Sequence, residues 1–233
     1  MTKSYRTKKK FVIVAMICIL ALMAVLGIYF GVIKKNNPLK LDPISYSYVI
    51  DIDNPREVAG HVDFVFVGRV EKQKDVVYED VFDRETEDGI QSTGIPYTNY
   101  DITVLENIKG DLKINETIPI LKEGGVSMDG KRLILGEGDF MPKEGEVCVF
   151  FISVQEDGTL LLPGKNFSIK IMESSLTKKA VQKKSLAQVQ QESQNEMQQI
   201  TKSDVYQEML AACKNEIPYE RERYTAPAEL IGE

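Results

Sequence analysis

The sequence contains no tryptophan and only one histidine, His61. A metal site built from several histidines is therefore excluded, as is a catalytic arrangement that needs two imidazoles. A Ser/His/Asp hydrolase would have to form around His61, at the edge of a predicted strand. No aromatic platform of tryptophan is available for stacking on a glycan. The composition disfavours an enzyme, and it predicts neither a cofactor nor a metal.

Cysteine is also scarce, with three residues at positions 18, 148 and 213. Cys18 lies inside a long apolar run, so at most one disulfide could form in the rest of the chain. The spacing contains no C-x-x-C motif and no zinc framework. We interpret Cys148 as a small core residue, because it falls in an apolar predicted strand. Whether Cys148 pairs with Cys213 is left open by the sequence.

Acidic residues are absent from the first 33 positions, and all 35 of them follow. Most of the basic residues lie among these acidic residues, so the sequence contains no continuous basic surface free of negative charge. Binding to a phosphate backbone needs such a surface. A nucleic-acid partner is therefore excluded.

Residues 11–33 form the long apolar run, FVIVAMICILALMAVLGIYFGVI, which carries no charged residue. As a helix it would reach about 34 Å, enough to cross a hydrocarbon core of about 30 Å. The run is longer than a signal-peptide core, and Lys34 and Lys35 follow it in place of a small-residue cleavage site. We expect a retained transmembrane helix with the lipid bilayer as its partner.

The basic residues on the two sides of this span predict its orientation. Residues 1–10 carry five of them, whereas three follow the span before residue 41. The positive-inside rule makes 1–10 a cytoplasmic basic segment and places the C-terminal part outside the cell membrane. Residues 34–43 are polar with two prolines and are interpreted as a linker.

Residues 44–173 are predicted to form a mainly β ectodomain, a small antiparallel barrel or sandwich. The region begins with a strand over 44–52, followed by a short helix that Asn54 caps and Pro55 begins. Residues 72–94 are interpreted as either a ragged hairpin or a long exposed loop. The further predicted strands cover 61–71, 97–108, 115–122, the end of 128–135, 146–154, 159–162 and 167–172.

Residues 174–233 form a glutamine-rich C-terminal region that we predict to be α-helical. Apolar residues three or four positions apart indicate a thin amphipathic helix over 174–200. A second helix starts at Ser203 and Asp204 and ends before Pro218. The last fifteen residues are interpreted as a charged tail.

The acidic stretch at 79–88 has some features of a calcium loop. An EF-hand loop requires glycine at its sixth place and glutamate at its twelfth. Counted from Asp83, this chain has Asp88 and Gly94 at those places. We therefore favour a solvated acidic loop over weak calcium binding.

Six stretches of alternating apolar residues and glycine follow one another in this region: HVDFVFVGRV, YDITVLENIKG, TIPILKEGG, MPKEGEVCVFF, DGTLLLPG and FSIKI. Together they resemble bacterial single-pass, membrane-anchored surface proteins with a small OB-like or netrin-like β-barrel ectodomain. The resemblance implies a barrel outside the membrane with a function in binding. Netrin-like domains carry a disulfide framework that this chain lacks, so no binding residues are carried over.

Three functions are consistent with these features. The first is an anchored extracytoplasmic binding or interaction module, with a protein or a cell-wall component as its partner. The second is a subunit of a membrane protein assembly. The third is a surface hydrolase. No ligand-binding residue is predicted for any of the three.

Gly27 and Gly31 form a G-x-x-x-G pair within the predicted span and could allow a homodimer through close helix packing. Replacing both by isoleucine should reduce self-association of the span in a membrane two-hybrid assay, because the added side chains keep the backbones apart. Isoleucine at Leu22 and Val25, which helical geometry places away from the glycines, is the matched control. Unchanged association in the glycine variant would mean that the two glycines are merely tolerated.

Overall fold

A computed structural model describes residues 39–86 and 89–232. The predicted cytoplasmic segment and transmembrane helix lie outside these residues. Within the described ranges, no helix combines the length and the apolar composition that crossing a bilayer requires. The described chain from Lys40 onward forms one compact unit. It is mainly β with α-helices toward the C-terminus, which confirms that part of the predicted fold class.

The larger sheet has six strands. They are β2 (Phe64–Thr86), β3 (Gly89–Lys109), β4 (Thr117–Glu123), β7 (Glu146–Val154), β8 (Leu160–Leu162) and β9 (Ser168–Glu173). Their order is β2-β3-β4-β8-β7-β9, with a further pairing between β2 and β7, so that five of the strands are joined in a cycle. All the neighbouring pairs are antiparallel except β4 with β8.

Strand β7 lies at the centre of the core, and all nine of its residues are buried. Its sequence, EVCVFFISV, is apolar at consecutive positions, which is typical of a strand covered on both faces. The first part of β2 pairs along one edge, with Phe66 opposite Phe150. Cys148 is fully buried here, as predicted for a core residue.

The described residues of the polar stretch, 72–86 and 89–94, form a hairpin, the first of the two alternatives that the sequence left open. Strands β2 and β3 pair from the core out to Thr86 and Gly89. The register shifts at several points along the hairpin, for instance between Gln73 and Val76 and between Glu79 and Phe82. Each bulge moves the following side chains to the other face, so no single alternation runs through the sequence.

A smaller three-stranded sheet contains β1 (Lys40–Ile44), β5 (Gly125–Val126) and β6 (Arg132–Gly136). Because β1 pairs with β6 in parallel, the prediction of a linker over 34–43 was wrong for residues 40–43. The strand predicted over 44–52 was also wrong, since only Ile44 belongs to one. The tyrosines that suggested alternation instead pack on each other and on the core: the Tyr48 ring lies 6.2 Å from Tyr46 and 6.1 Å from Phe167.

Helix α1 (Pro55–His61) begins where the sequence predicted. The Asn54 side chain accepts a hydrogen bond from the Arg56 N–H at 3.1 Å, and Pro55 occupies the first turn, where it costs no hydrogen bond. Near its end, Gly60 lies against the backbone of Ile217. A Cβ atom built on Gly60 would be 1.8 Å from the Ile217 carbonyl oxygen, so this contact requires glycine.

The C-terminal region is helical, as predicted. It contains α2 (Lys178–Val181), α3 (Leu186–Lys202), α4 (Asp204–Lys214) and a short 3₁₀ helix (Ala228–Leu230). Ser185 and Gln188 form a capping box at the start of α3. Ser203 caps α4.

The interpretation of the last fifteen residues as a charged tail was wrong. Arg221 and Arg223 both pair with Asp63, at 2.5 and 2.7 Å, and Arg223 also donates to the Gly60 and Val62 carbonyls. Ala226 is buried. The basic residues of this segment are the contacts that bind it to the start of β2, so it packs with the sheet.

Gly60→Ala should destabilise the chain by about 3 kcal/mol, because the methyl group overlaps the Ile217 carbonyl and helix α1 must move away. Gly130→Ala is the control: nothing lies within 4 Å of the added carbon, and only the left-handed backbone, at φ +69°, opposes it. That strain costs about 1 kcal/mol. Urea unfolding followed by circular dichroism measures both, and equal midpoints would contradict the proposed role of Gly60.

Candidate functional site

A concave surface of the described chain lies on the outer side of β4. Two adjoining hollows of about 390 and 270 Å³ share Leu121, Asp157 and Thr159. We call the two hollows together the β4 cleft. Residues from β2, β3, β4, the β7–β8 loop and the C-terminal segment line it, so parts far apart in the sequence form one surface. The further lining residues are Val77, Glu79, Tyr97, Asn99, Pro119, Ile120, Gln155, Glu156, Gly158, Leu160, Leu161, Pro227 and Leu230.

Strand β4 supplies the floor of the cleft. Ile118, Ile120 and Lys122 are buried in the interior, so strand alternation turns Pro119 and Leu121 outward. Strand β8 pairs with β4 only at Leu121 and Lys122. Pro119 has no N–H to donate, and it lies on the part of β4 that β8 leaves uncovered, where proline is tolerated.

The β7–β8 loop forms one rim and is held by a tight turn. The Gln155 N–H donates to the Thr159 carbonyl, and the Gly158 N–H donates to the Gln155 carbonyl, each at 2.9 Å. Gly158 has φ +85°, which favours glycine. The Thr159 N–H donates to the Asp157 carboxylate at 2.9 Å and holds its pKa below the usual range. Asp157 therefore stays ionised at the rim.

The C-terminal segment forms the opposite wall. The Lys113 N–H donates to the Leu230 carbonyl at 2.9 Å, and Leu112 bridges to Ile231. These contacts hold Pro227 and Leu230 beside the loop, and a Cβ atom built on Gly158 would be 3.5 Å from the Pro227 ring. The cleft thus requires the C-terminal segment to be in place.

The charge of the β4 cleft has one sign. Glu79, Glu156 and Asp157 line it and are exposed, and none of the described lining residues is a lysine or an arginine. The floor between them contains Val77, Leu121 and other apolar side chains. This combination of an apolar floor with an acidic rim favours a ligand that carries both apolar and positively charged groups.

His61 lies away from this cleft, beneath the C-terminal segment. Its ring packs edge-on against Tyr219, with centroids 5.0 Å apart. Nδ1 is buried without a hydrogen-bond partner among the described residues. Burial, followed by the charges of Arg221 and Arg223, lowers the pKa of His61. Among the described residues, no serine and no carboxylate forms a hydrogen bond with the His61 ring.

The other residues that the sequence analysis considered lie elsewhere. Gly27 and Gly31 are outside the described residues. The described part of the acidic stretch, residues 79–86, belongs to the hairpin, where Asp83 accepts a hydrogen bond from the Ser92 hydroxyl at 2.6 Å. Across the described ranges, no His, Cys, Asp and Glu side chains are grouped so that three or more could hold a metal ion.

Sequence reasoning identified parts of the β4 cleft without identifying the site. Glu156, Asp157 and Gly158 are typical of a hairpin turn, and Pro119 is typical of an edge strand or a bulge, but neither pattern says which residues lie opposite it in the fold. Pro227 and Leu230 were assigned to a tail. The missing signal was the apolar content of that segment, which an exposed tail has no reason to keep.

Comparison of the sequence with protein-family models gives no match, and comparison with curated protein sequences gives none either.

Cys148 and Cys213 are both free thiols. Burial raises the pKa of Cys148 to about 12 and that of Cys213 to about 11. In a Cys18→Ser background at pH 8, Cys213 should react with a disulfide reagent roughly a hundredfold more slowly than a free thiol, and Cys148 more slowly still. Both should react rapidly in guanidinium. Reaction of native Cys213 at the rate of a free thiol would contradict this.

Proposed function

We propose that this chain is a membrane-anchored extracytoplasmic binding module, and that its ligand occupies the β4 cleft. The observation that carries the proposal is the cleft itself, an apolar floor within an acidic rim. The apolar run at 11–33 supports the anchor, and the basic residues around it support the orientation. The partner is a protein or a cell-wall component with exposed positive charge.

We further propose that the cycle of five paired strands closes into a small barrel of the OB type. Its first three strands along the chain are β2, β3 and β4, and β7 and β8 complete the cycle. OB folds bind ligands on the face of the second and third strands, beside the loop between the fourth and fifth. The β4 cleft has the corresponding position, between β3, β4 and the β7–β8 loop. This supports binding as the function.

The acidic rim supports one class of ligand over the others. OB folds bind oligonucleotides or oligosaccharides, but three carboxylates would repel a phosphate backbone. A ligand that presents lysine or arginine beside apolar groups gains from both the rim and the floor. Because the rim charges are exposed, most of their effect is expected on the rate and the salt dependence of association.

A test uses the full chain in detergent and a fluorescein-labelled hexapeptide of alternating lysine and leucine. Binding, measured by fluorescence anisotropy, should weaken about tenfold when Glu79→Gln, Glu156→Gln and Asp157→Asn are combined, a loss of about 1.4 kcal/mol. The amide at position 157 can still accept the hydrogen bond from Thr159, so the turn is preserved.

The matched control removes the same number of charges elsewhere, with Glu137→Gln, Glu144→Gln and Glu220→Gln on other exposed parts of the chain. This variant should bind as the parent does. Equal weakening in the two variants would show that only the net charge matters, and the cleft would lose its assignment. The full C-terminal segment must be kept, since residues 227 and 230 form one wall of the cleft.

A further inference from the structure

A lysine and an aspartate are buried together at the interior end of β4. Lys122 follows Ile118 and Ile120 on the inward side of the strand, and Asp139 lies in the turn after β6. The Lys122 Nζ atom is 2.7 Å from the Asp139 Oδ2 atom, and the two side chains are 0% and 1% exposed. Solvent is therefore excluded from both groups.

The residues around Lys122 provide little stabilisation for its charged ammonium form. Among the described residues, Nζ has one short hydrogen bond, to Asp139, and one long contact of 3.4 Å to the Pro163 carbonyl. An ammonium group has three protons to donate, and burying it incompletely solvated is costly. Burial lowers the pKa of Lys122, although the charge of Asp139 acts in the opposite direction. Transfer of one proton along the short hydrogen bond relieves the cost by leaving an amine beside a carboxylic acid.

The other oxygen of Asp139 is held separately. Its Oδ1 atom accepts a hydrogen bond from the Phe140 N–H at 2.7 Å. A backbone N–H directed at this oxygen stabilises negative charge on it, as donors do in sites of acyl transfer. The nucleophile is in contact with one oxygen and the donor with the other, so the reacting groups are already oriented.

A further polar group lies in the same region. The Tyr100 hydroxyl is buried and has no hydrogen-bond partner among the described residues. Burial, followed by the charge of Asp139, raises the pKa of Tyr100. The interior end of β4 therefore contains a protonated hydroxyl that the ion pair does not use.

We propose that Lys122 and Asp139 condense to form an intramolecular isopeptide bond. The Lys122 Nζ atom attacks the Asp139 Cγ atom, Phe140 N–H stabilises the negative charge on Oδ1, and the bond from Cγ to Oδ2 breaks. Oδ2 leaves as water with two protons that came from the ammonium group. Nζ keeps one proton as an amide, and nothing is oxidised or reduced.

This bond would close a covalent loop that contains β5 and β6. The smaller sheet would then be joined to β4 by a bond as well as by packing, which restricts the unfolded chain. The chain's two described cysteines are free, so no disulfide supplies this restraint there. The proposal does not depend on the identity of the ligand of the β4 cleft.

Mass spectrometry of the full chain, purified in detergent and then denatured and digested with trypsin, tests the proposal. We expect no cleavage after Lys122, and a branched peptide that joins the segment around Lys122 to the segment around Asp139. Its mass should be lower than the sum of the two segments by one water molecule. Separate linear peptides from a chain that was folded before digestion would overturn the proposal.

Two variants locate the bond. Lys122→Met should abolish the branched peptide and restore the mass of the lost water. Lys109→Met is the control, because Lys109 forms an ion pair of similar length, 2.6 Å, with Glu216, but both groups are partly exposed. It should retain the branched peptide. A loss of water that persists in Lys122→Met would assign the modification to other residues and overturn the proposal, and this reading does not require that variant to fold.

Discussion

Burial of β7 on both faces and pairing along both of its edges is the constraint on which the rest of the described structure depends. One edge pairs with β2, and the other pairs with β9 and then β8. Where β2 pairs with β7, position 68 must be glycine, since a Cβ atom on Gly68 would lie 2.6 Å from the Ile102 side chain. Apolar packing at this point determines how the strands connect, and hence which strands have an outer face free for a ligand.

Asp63 links that core to the C-terminal segment. Its carboxylate accepts hydrogen bonds from the Val154 N–H, at the end of β7, and from Arg221 and Arg223. A carboxylate that is largely buried is stable only with several such donors. The same group therefore terminates a core strand and positions the chain that continues to Pro227 and Leu230. The wall of the β4 cleft depends on an ion-pair network at the start of β2.

The β4 cleft and the Lys122–Asp139 pair contain charged groups in opposite environments. At the β4 cleft, Glu156 and Asp157 are exposed, and the turn rather than burial controls the conformation of Asp157. Charge there remains available to a partner. Lys122 and Asp139 are buried away from water, so keeping both groups charged costs free energy. The proposed condensation removes both charges. Burial is the physical difference between the proposed binding surface and the proposed modification site, which share the strand β4.

The sequence by itself determined the elements whose signals are local. Asn54 and Pro55 predicted the start of α1, the uninterrupted apolar run predicted β7, and the helical spacing at 203–217 predicted α4. These patterns depend on neighbours within one turn or one strand, so they can be read without knowing the fold. The bulges of the hairpin concealed the alternation in 72–94, and β1 was missed because its partner, β6, lies far along the chain.

Only the tertiary structure decided the sites. No local signal distinguishes Lys122 from the other lysines, or Asp139 from the other acidic residues. Strand pairing turns Lys122 inward, and the turn after β6 brings Asp139 to it. Arg221 and Arg223 looked like a solvated tail until Asp63 was placed opposite them. Charge is read from the sequence, but its burial and its partner depend on contacts between residues far apart in the chain, and no local pattern encodes those contacts.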